Sequence, residues 1–438
     1  MKIRLTRFLL MLLTLCLLMP LAALGEDEEI HLTATPAKEW TELFHRLNQK
    51  EYTWLSADGI FSVALDGNDS FASADSSTTT AFIFSDSLMG TSDEKGAYTS
   101  RFSMVNHSAA ILKGYSADGD NLRFVWGHGG NLQPNQNIFG ERRWMQDMVV
   151  VGDKLYVTGT PEVGWKAQHV DLYTIPIKGG EPQYDEFVKT PEIPELYLHT
   201  PDDKYYYVFG GCFMCNTEQA GAPDPDGYIY VYGTRDAVHE WSRKDLLVAR
   251  IHEDDFPDFS KLTYWEGDKW GTDIEKSLPL LRWVSCEMSV TPITVGPYAG
   301  KYMAVYTRFV EGNEIAYSLS DTPWGPFTTG VTCYVCPEHG QPTLDGVGHI
   351  YCYNAKAHPH LSKGSQMLIS YNTNARDNQT IWATDGYPHF IWLELDPDPN
   401  ATPTDIWATP TNLATGTDVS TATDMATGTD IATGTDAK

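Results

Sequence analysis

Apolar and aromatic residues in this chain gather into short runs, each closed by Gly, Asp, Asn or Pro. Clear cases are Ile60-Phe-Ser-Val-Ala-Leu65, Thr80-Ala-Phe-Ile-Phe84, Gly227-Tyr-Ile-Tyr-Val-Tyr232, Tyr302-Met-Ala-Val-Tyr306, Glu314-Ile-Ala-Tyr-Ser-Leu319 and Gln366-Met-Leu-Ile-Ser-Tyr371. A longer run covers Asp147-Met-Val-Val-Val-Gly-Asp-Lys-Leu-Tyr-Val157. β-Branched and aromatic residues bounded by turn formers predict strands joined by hairpins. Helical spacing is rare. Its best case is residues 36–49, where Trp40, Leu43, Phe44 and Leu47 share one face, predicting a short helix on the outside of a β domain.

The runs group into five blocks, near residues 53–125, 126–190, 195–280, 283–345 and 348–396. Each block carries a polar residue in an aromatic neighbourhood: Leu55-Ser-Ala-Asp58-Gly, Trp144-Met-Gln-Asp147, Phe209-Gly-Gly-Cys212, Trp283-Val-Ser-Cys-Glu287 and Asn354-Ala-Lys-Ala-His358-Pro. Recurrence at roughly 60–80 residues suits radial repetition of small antiparallel sheets. The expected fold is all-β: a five-bladed β-propeller over residues 53–397, after an acidic, weakly helical segment at 26–52. Six blades are the variant, because the third block is long; its Asp- and Trp-rich excess at 251–273 reads as a surface loop. A two-sheet sandwich is the rival fold. In a propeller the innermost strands face one axis, so carboxylates far apart in sequence would meet in one funnel.

Both ends read differently. Lys2, Arg4 and Arg7 precede an apolar run over residues 8–24, and Ala23-Leu24-Gly25 offers a small-x-small cleavage site. Residues 1–25 therefore predict a secretory signal peptide, too short in its apolar core for a spanning helix. Export, with no membrane insertion after cleavage, follows. Residues 398–438 collapse into Thr, Ala, Asp and Gly with a repeated Thr-Asp-x-Ala-Thr-Gly hexad. One medium apolar residue per hexad cannot offset chain entropy, so a disordered tail is expected.

Charge narrows the ligand. Lys and Arg total 31 against 58 Asp and Glu, a formal charge of −27. Such a surface repels nucleic acid and anionic lipid, and favours a neutral ligand or a cation. Aromatics make up 12% of the chain, which suits either β packing or sugar stacking. For Trp54, Trp126, Trp144 and Trp283, packing between sheets is the default expectation.

Cys16 leaves with the signal peptide, and six cysteines remain. They include Cys212-Phe-Met-Cys215 and Cys333-Tyr-Val-Cys336, with Cys286 and Cys352 apart. Disulfides, a structural Zn²⁺ on Cys212, Cys215, Cys333 and Cys336, and free thiols all stay open. None of these states needs the cysteines to be catalytic; a metal-dependent hydrolase using Cys212, Cys215, Cys286 and Glu287 is a further reading.

Glycoside hydrolysis needs one protonated and one ionised carboxyl, held in environments that push their pKa values apart. Asp58, at the lip of a predicted inner strand, and Glu287, flanked by Trp283, Val284 and Met288, are the best pair. Asp86 and Asp147 are placed to tune them, although Asp58-Gly59 is also an ordinary turn dipeptide. Asn106, His107, Trp144 and His358 are the candidate substrate-binding groups. A satisfied core histidine is the alternative reading of His358.

These motifs also carry a resemblance. Ser56-Ala-Asp58-Gly-Ile-Phe-Ser-Val-Ala-Leu65 with Phe82-Ile-Phe-Ser-Asp86-Ser is similar to the opening of a family of secreted bacterial five-bladed propellers long catalogued as a domain of unknown function. Met104-Val-Asn106-His-Ser, Asp226-Gly-Tyr-Ile-Tyr-Val-Tyr-Gly233, Leu247-Val-Ala-Arg250, Tyr264-Trp-Glu-Gly-Asp-Lys-Trp270, Ser320-Asp-Thr-Pro-Trp-Gly-Pro326 and Tyr353-Asn-Ala-Lys-Ala-His358-Pro fit in the same order. Some members of that family are endo-D-arabinanases, and the fold resembles arabinanase and levanase-type glycosidases. The resemblance implies an axial pocket, with Asp58 as base and Glu287 as acid, in an exported monomer cleaving an arabinan-type polysaccharide. No cofactor is required, and room is left for a Ca²⁺ in the axis. Ser85 and both CxxC pairs depart from the pattern. A non-catalytic sugar-binding propeller is the alternative.

Overall fold

The computed structural model describes residues 30–376 and 385–397. The signal-peptide and tail expectations lie outside the described residues. Within them the chain is almost entirely β, with one α-helix, Lys38–Phe44, and several short 3₁₀ turns. No described helix is long and apolar enough to cross a membrane.

The sheets follow one another along the chain, and all described pairings are antiparallel. A first four-stranded sheet is built from Phe61–Ala64, Thr79–Phe84, Ser108–Lys113 and Leu122–Val125. A second begins with Trp144–Val151, Lys154–Thr160 and Asp171–Lys178; Gly152 turns the first hairpin at φ 62°. A third is centred on Tyr205–Asn216, Tyr228–Ala237 and Glu240–His252. A fourth joins Met288–Pro292, Tyr302–Thr307, Glu314–Ser320 and Val331–Val335. The fifth joins His349–Ala357, Gln366–Arg376 and Pro388–Glu394, and its outermost strand is Ala34–Pro36 from the other end of the domain. A separate three-stranded sheet, Thr53–Ala57, Ser87–Ser92 and Tyr98–Val105, grows out of the first block.

Period-two alternation places the cores. In Tyr302–Thr307, Met303 and Val305 face the fifth sheet, while Ala304 and Tyr306 face the third. In Tyr228–Ala237, Ile229 and Val231 pack towards the second sheet, and Tyr230 and Tyr232 towards the fourth. Phe82 and Phe84 join Leu368, Phe390 and Trp392 of the fifth sheet, whereas Ala81 and Ile83 meet Met148 and Val157 of the second. Such middle strands are buried on both faces, which is why they read as nearly continuous apolar runs. Each core lies between successive sheets, and the last returns to the first.

Three details differ from expectation. The helix stops at Phe44, short of the helical pattern, and Asn48 has φ 55°. Its Trp40, Leu43 and Phe44 cover the seam between fifth and first sheets. Residues 251–273 are not merely a loop: Thr263–Trp265 and Trp270–Gly271 pair back onto the third sheet. The strand Ala34–Pro36 gave no signal, because three residues cannot display a period.

Candidate functional site

The expected carboxylates come from different sheets into one neighbourhood. Asp58 follows Thr53–Ala57, and its turn is tied to the end of Thr79–Phe84: the Asp58 N–H donates to Asp86 O (3.2 Å), and the Ser85 N–H to Asp58 O (2.9 Å). Gly59, at φ 63°, completes this turn; a Cβ there would sit 2.9 Å from Ser85 Cβ. Turn dipeptide and site carboxylate are thus the same residue.

Around Asp58 the partners are unequal. Tyr353 Oη donates to Asp58 Oδ2 at 2.8 Å, while Oδ1 is buried with no hydrogen-bond partner. Burial, then the charges of Asp86 and Glu287, push the Asp58 carboxyl well above its ordinary range. Asp86 is better supplied: Asn106 Nδ2 (2.7 Å) and Trp144 Nε1 (3.2 Å) both donate to its Oδ1. Burial raises it, and those donors with the Arg142 charge draw it back. Glu287 Oε2 pairs with the Lys356 ammonium at 2.5 Å. Burial raises Glu287 too, opposed by Lys356.

Lys356 arrives through a β-bulge. The fifth sheet's first strand shifts register between Tyr353 and Lys356, and Asn354 between them has φ 58° and is held by Ser285 Oγ (2.8 Å). An extra residue at a bulge re-aims the side chains that follow. The ammonium, almost wholly buried, also donates to Asn354 O (3.0 Å) and lies 4.5 Å from the Phe61 ring centre.

The sequence reading missed the remainder of the site. Glu162 lies on the small hairpin Glu162–Val163/Lys166–Ala167. Its Oε2 is buried without a partner. Burial carries its pKa up to about 7, with Lys244 lowering it and Asp86 and Asp236 raising it. Lys244 and Asp236, on the third sheet, form an ion pair. The neighbours of the Cys286 thiol include Lys244, Asp236, Glu162 and Glu287. The sequence Asp58, Asp86, Glu162, Asp236–Lys244, Glu287 with Lys356, and Tyr353 therefore draws on every block. The available signals were weak: Val163-Gly-Trp165-Lys marks a turn, and Lys356 sits in the same motif as His358.

Other expected residues lie elsewhere. Both Asp147 oxygens accept backbone N–H groups, from Met148 (2.8 Å) and Phe213 (2.6 Å). Burial raises its pKa to about 7, and its charged neighbours are Asp69 and Lys356 rather than the other candidate carboxylates. With Asp69, Ser62, Phe213, Thr291 and Lys356 it lines a cavity of ≈ 40 Å³, room for a few waters. Asp69 is hydrogen-bonded to His360 Nδ1 (2.5 Å). These prior commitments, with a fixed ammonium alongside, fit a Ca²⁺ poorly.

Two histidines need correction. His107 is completely buried, bridging Arg143 O (3.2 Å) and the Phe139 N–H (3.0 Å), and burial takes its pKa down to about 3. His358 is equally buried between Ser62 Oγ (2.6 Å) and Ser370 Oγ (2.8 Å). Both are satisfied core groups without access to a ligand. Asn106 and Trp144 instead adjoin the candidate carboxylates, through their hydrogen bonds to Asp86.

The two CxxC pairs do not converge. Cys212 packs between third and fourth sheets and Cys215 against the second-to-third core, while Cys333 and Cys336 share a core with Cys352. All six described cysteines are free thiols, and no described cluster of His, Cys, Asp and Glu suits a metal.

Against this geometry, a family model described as Domain of unknown function (DUF5005) matches residues 38–394. The chain belongs to this DUF5005 family. No curated protein matches it. Among solved structures, a presumptive hydrolase from Bacteroides ovatus ATCC 8483 superposes with TM-score 0.57 at 17% identity, covering 83% of this chain and 93% of that one. A thermostable family-43 glycoside hydrolase follows at TM-score 0.38 and 10% identity (80% and 96% covered). The Coprinopsis cinerea GH62 α-L-arabinofuranosidase catalytic domain gives 0.42 and 8% (83% and 96%). At 17% identity the likeness to the Bacteroides protein is one of fold, and this DUF5005 chain shares its architecture.

Proposed function

We propose that this protein is an exported glycoside hydrolase on a five-bladed propeller, cleaving a furanose-containing, arabinan-type polysaccharide by carboxylate acid–base catalysis. The observation that carries the reading is the unequal supply of partners around Asp58. Asp86 is held by two donors and Glu287 Oε2 by the Lys356 charge alone, whereas buried Asp58 Oδ1 has neither a donor nor a cation against it. A carboxyl between two anions keeps its proton, and an unpaired O–H beside them is poised to give it to a glycosidic oxygen. Export is supported by the residue 1–25 pattern.

This arrangement exchanges the roles expected from sequence. Glu287, paired with Lys356, is the ionised group that activates water or attacks the sugar, and Asp58 is the proton donor. In bond terms, the Asp58 proton goes to the leaving oxygen as the C–O bond breaks. Glu287 takes a proton from the incoming water as the new C–O bond forms, or itself bonds to the sugar before water releases it. Asp86, oriented by Asn106 and Trp144, maintains the negative charge that keeps Asp58 protonated.

The roles are separable by experiment. Asp58→Asn should lower turnover of polysaccharide by about 10²–10⁴-fold but spare aryl glycosides with activated leaving groups, which need little protonation. Glu287→Gln should depress both substrates alike. Equal losses for both substrates in Asp58→Asn would remove Asp58 as the acid. The Glu287–Lys356 pair also favours a second reading, a sugar-binding propeller whose carboxylate is neutralised; it predicts glycan binding with no release of reducing ends.

A further inference from the structure

Among the described residues, ten non-glycine positions have positive φ, and three of these are large aromatics: Trp165 (64°), Trp283 (67°) and Phe309 (65°). Left-handed backbone is unfavourable for bulky side chains, and such positions gather where a fold clamps a ligand. All three are well exposed, at 81%, 41% and 43%. Burial of apolar surface therefore does not explain them.

Two of them lie on segments that carry site carboxylates, Trp165 with Glu162 and Trp283 with Glu287. Trp165 tips the hairpin that carries Glu162, and its ring centre lies 5.5 Å from that of Trp144, whose indole N–H donates to Asp86. Trp283 packs edge-to-face on Phe309 at 5.2 Å, and the Phe309 N–H donates to Trp283 O at 2.9 Å. The Arg243 guanidinium lies 4.7 Å from the Trp283 ring centre and braces it. Trp283 also lies four positions before Glu287 on the same segment. One aromatic pair thus links Asp86 with the Glu162 hairpin, and the other has Trp283 on the segment that leads to Glu287.

Resting on the hydrolase reading of the same site, we propose that these pairs are two sugar-stacking platforms, so that the site takes a neutral glycan chain several residues long rather than a single terminal sugar. An indole face is matched by the C–H face of a sugar ring. The buried acceptors Glu162 Oε2 and Asp236 Oδ1 lack donors that sugar hydroxyls supply. The acidic surface opposes a polyanion, which favours a neutral glycan over an acidic one.

Affinity measured by calorimetry against arabino-oligosaccharides of two to six units, in the Asp58→Asn background to prevent cleavage, tests this. Affinity should rise at least tenfold with length. Trp165→Ala with Trp283→Ala should flatten that rise to within about twofold, with the thermal midpoint unchanged. Trp165→Phe should restore part of it. A length dependence that survives both alanines, or is absent beforehand, overturns the proposal. Reducing-end release by the unmutated protein is scored separately: length-dependent, tryptophan-dependent binding without release keeps the platforms and refutes hydrolysis.

Discussion

Glu162 shows how a single residue ties stability to the site. Its ordinary pKa is about 4.3, and in the folded chain burial raises it to about 7. Between those values the folded state holds a proton that the unfolded state has released, so unfolding free energy falls as pH rises through the window and is flat above it. The stability difference between pH 5 and pH 8, read by calorimetric melting, sums this loss with the opposite contribution of buried neutral histidines such as His107. Glu162→Gln should shift that difference in favour of pH 8 by an amount on the order of 1–2 kcal/mol, discounted because the side chain is partly open to water. An unchanged difference would place the Glu162 titration in the ordinary range. At this scale the sequence was readable where a residue type was costly to bury, as for Asp58 and Glu287, and unreadable where position alone mattered. Lys356 and His358 stand two apart in one motif, yet the lysine meets Glu287 while the histidine, past the strand end at Ala357, is enclosed between Ser62 and Ser370.

Among elements, turns and bulges bring the reactive groups to their places. The Asp58-Gly59 turn sits between two sheets, and only a residue without a Cβ fits opposite Ser85. Gly59→Ala should displace the Asp58 backbone, cutting polysaccharide turnover by about tenfold or more while far-ultraviolet circular dichroism stays the same; full activity would show the turn to be incidental. Strands were legible because two-sided burial writes itself as apolar runs. Their register was not, because bulges at Val157/Gly159, Phe209/Cys212 and Tyr353/Lys356 break the period; glycines mark the first two, and no glycine marks the third. The CxxC pairs illustrate the same limit: Cys212 and Cys215 lie on one strand but pack into different cores, which spacing alone could not tell.

For the molecule as a whole, ring closure decides everything else. The last sheet is completed by Ala34–Pro36, which pairs with Pro388–Glu394, and the fifth-to-first core contains Phe82, Phe84, Leu368, Phe390 and Trp392. Phe82→Ala should cost about 3–5 kcal/mol in denaturant unfolding, the usual penalty for a buried phenylalanine. A loss below about 1 kcal/mol would mean the seam is loosely packed. The succession of sheets was legible from block spacing, and the closing strand was not, since three residues hold no pattern. Closure brings Asp58, Asp86, Glu162 and Glu287 together, and the catalytic proposal stands on that convergence. Its most direct test is reducing-end release from a panel of arabinans, fructans and galactans by the purified protein alongside Asp58→Asn and Glu287→Gln. The account predicts release from an arabinan that falls at least a hundredfold in each variant; no release from any polysaccharide, or release equal in the variants, would contradict it.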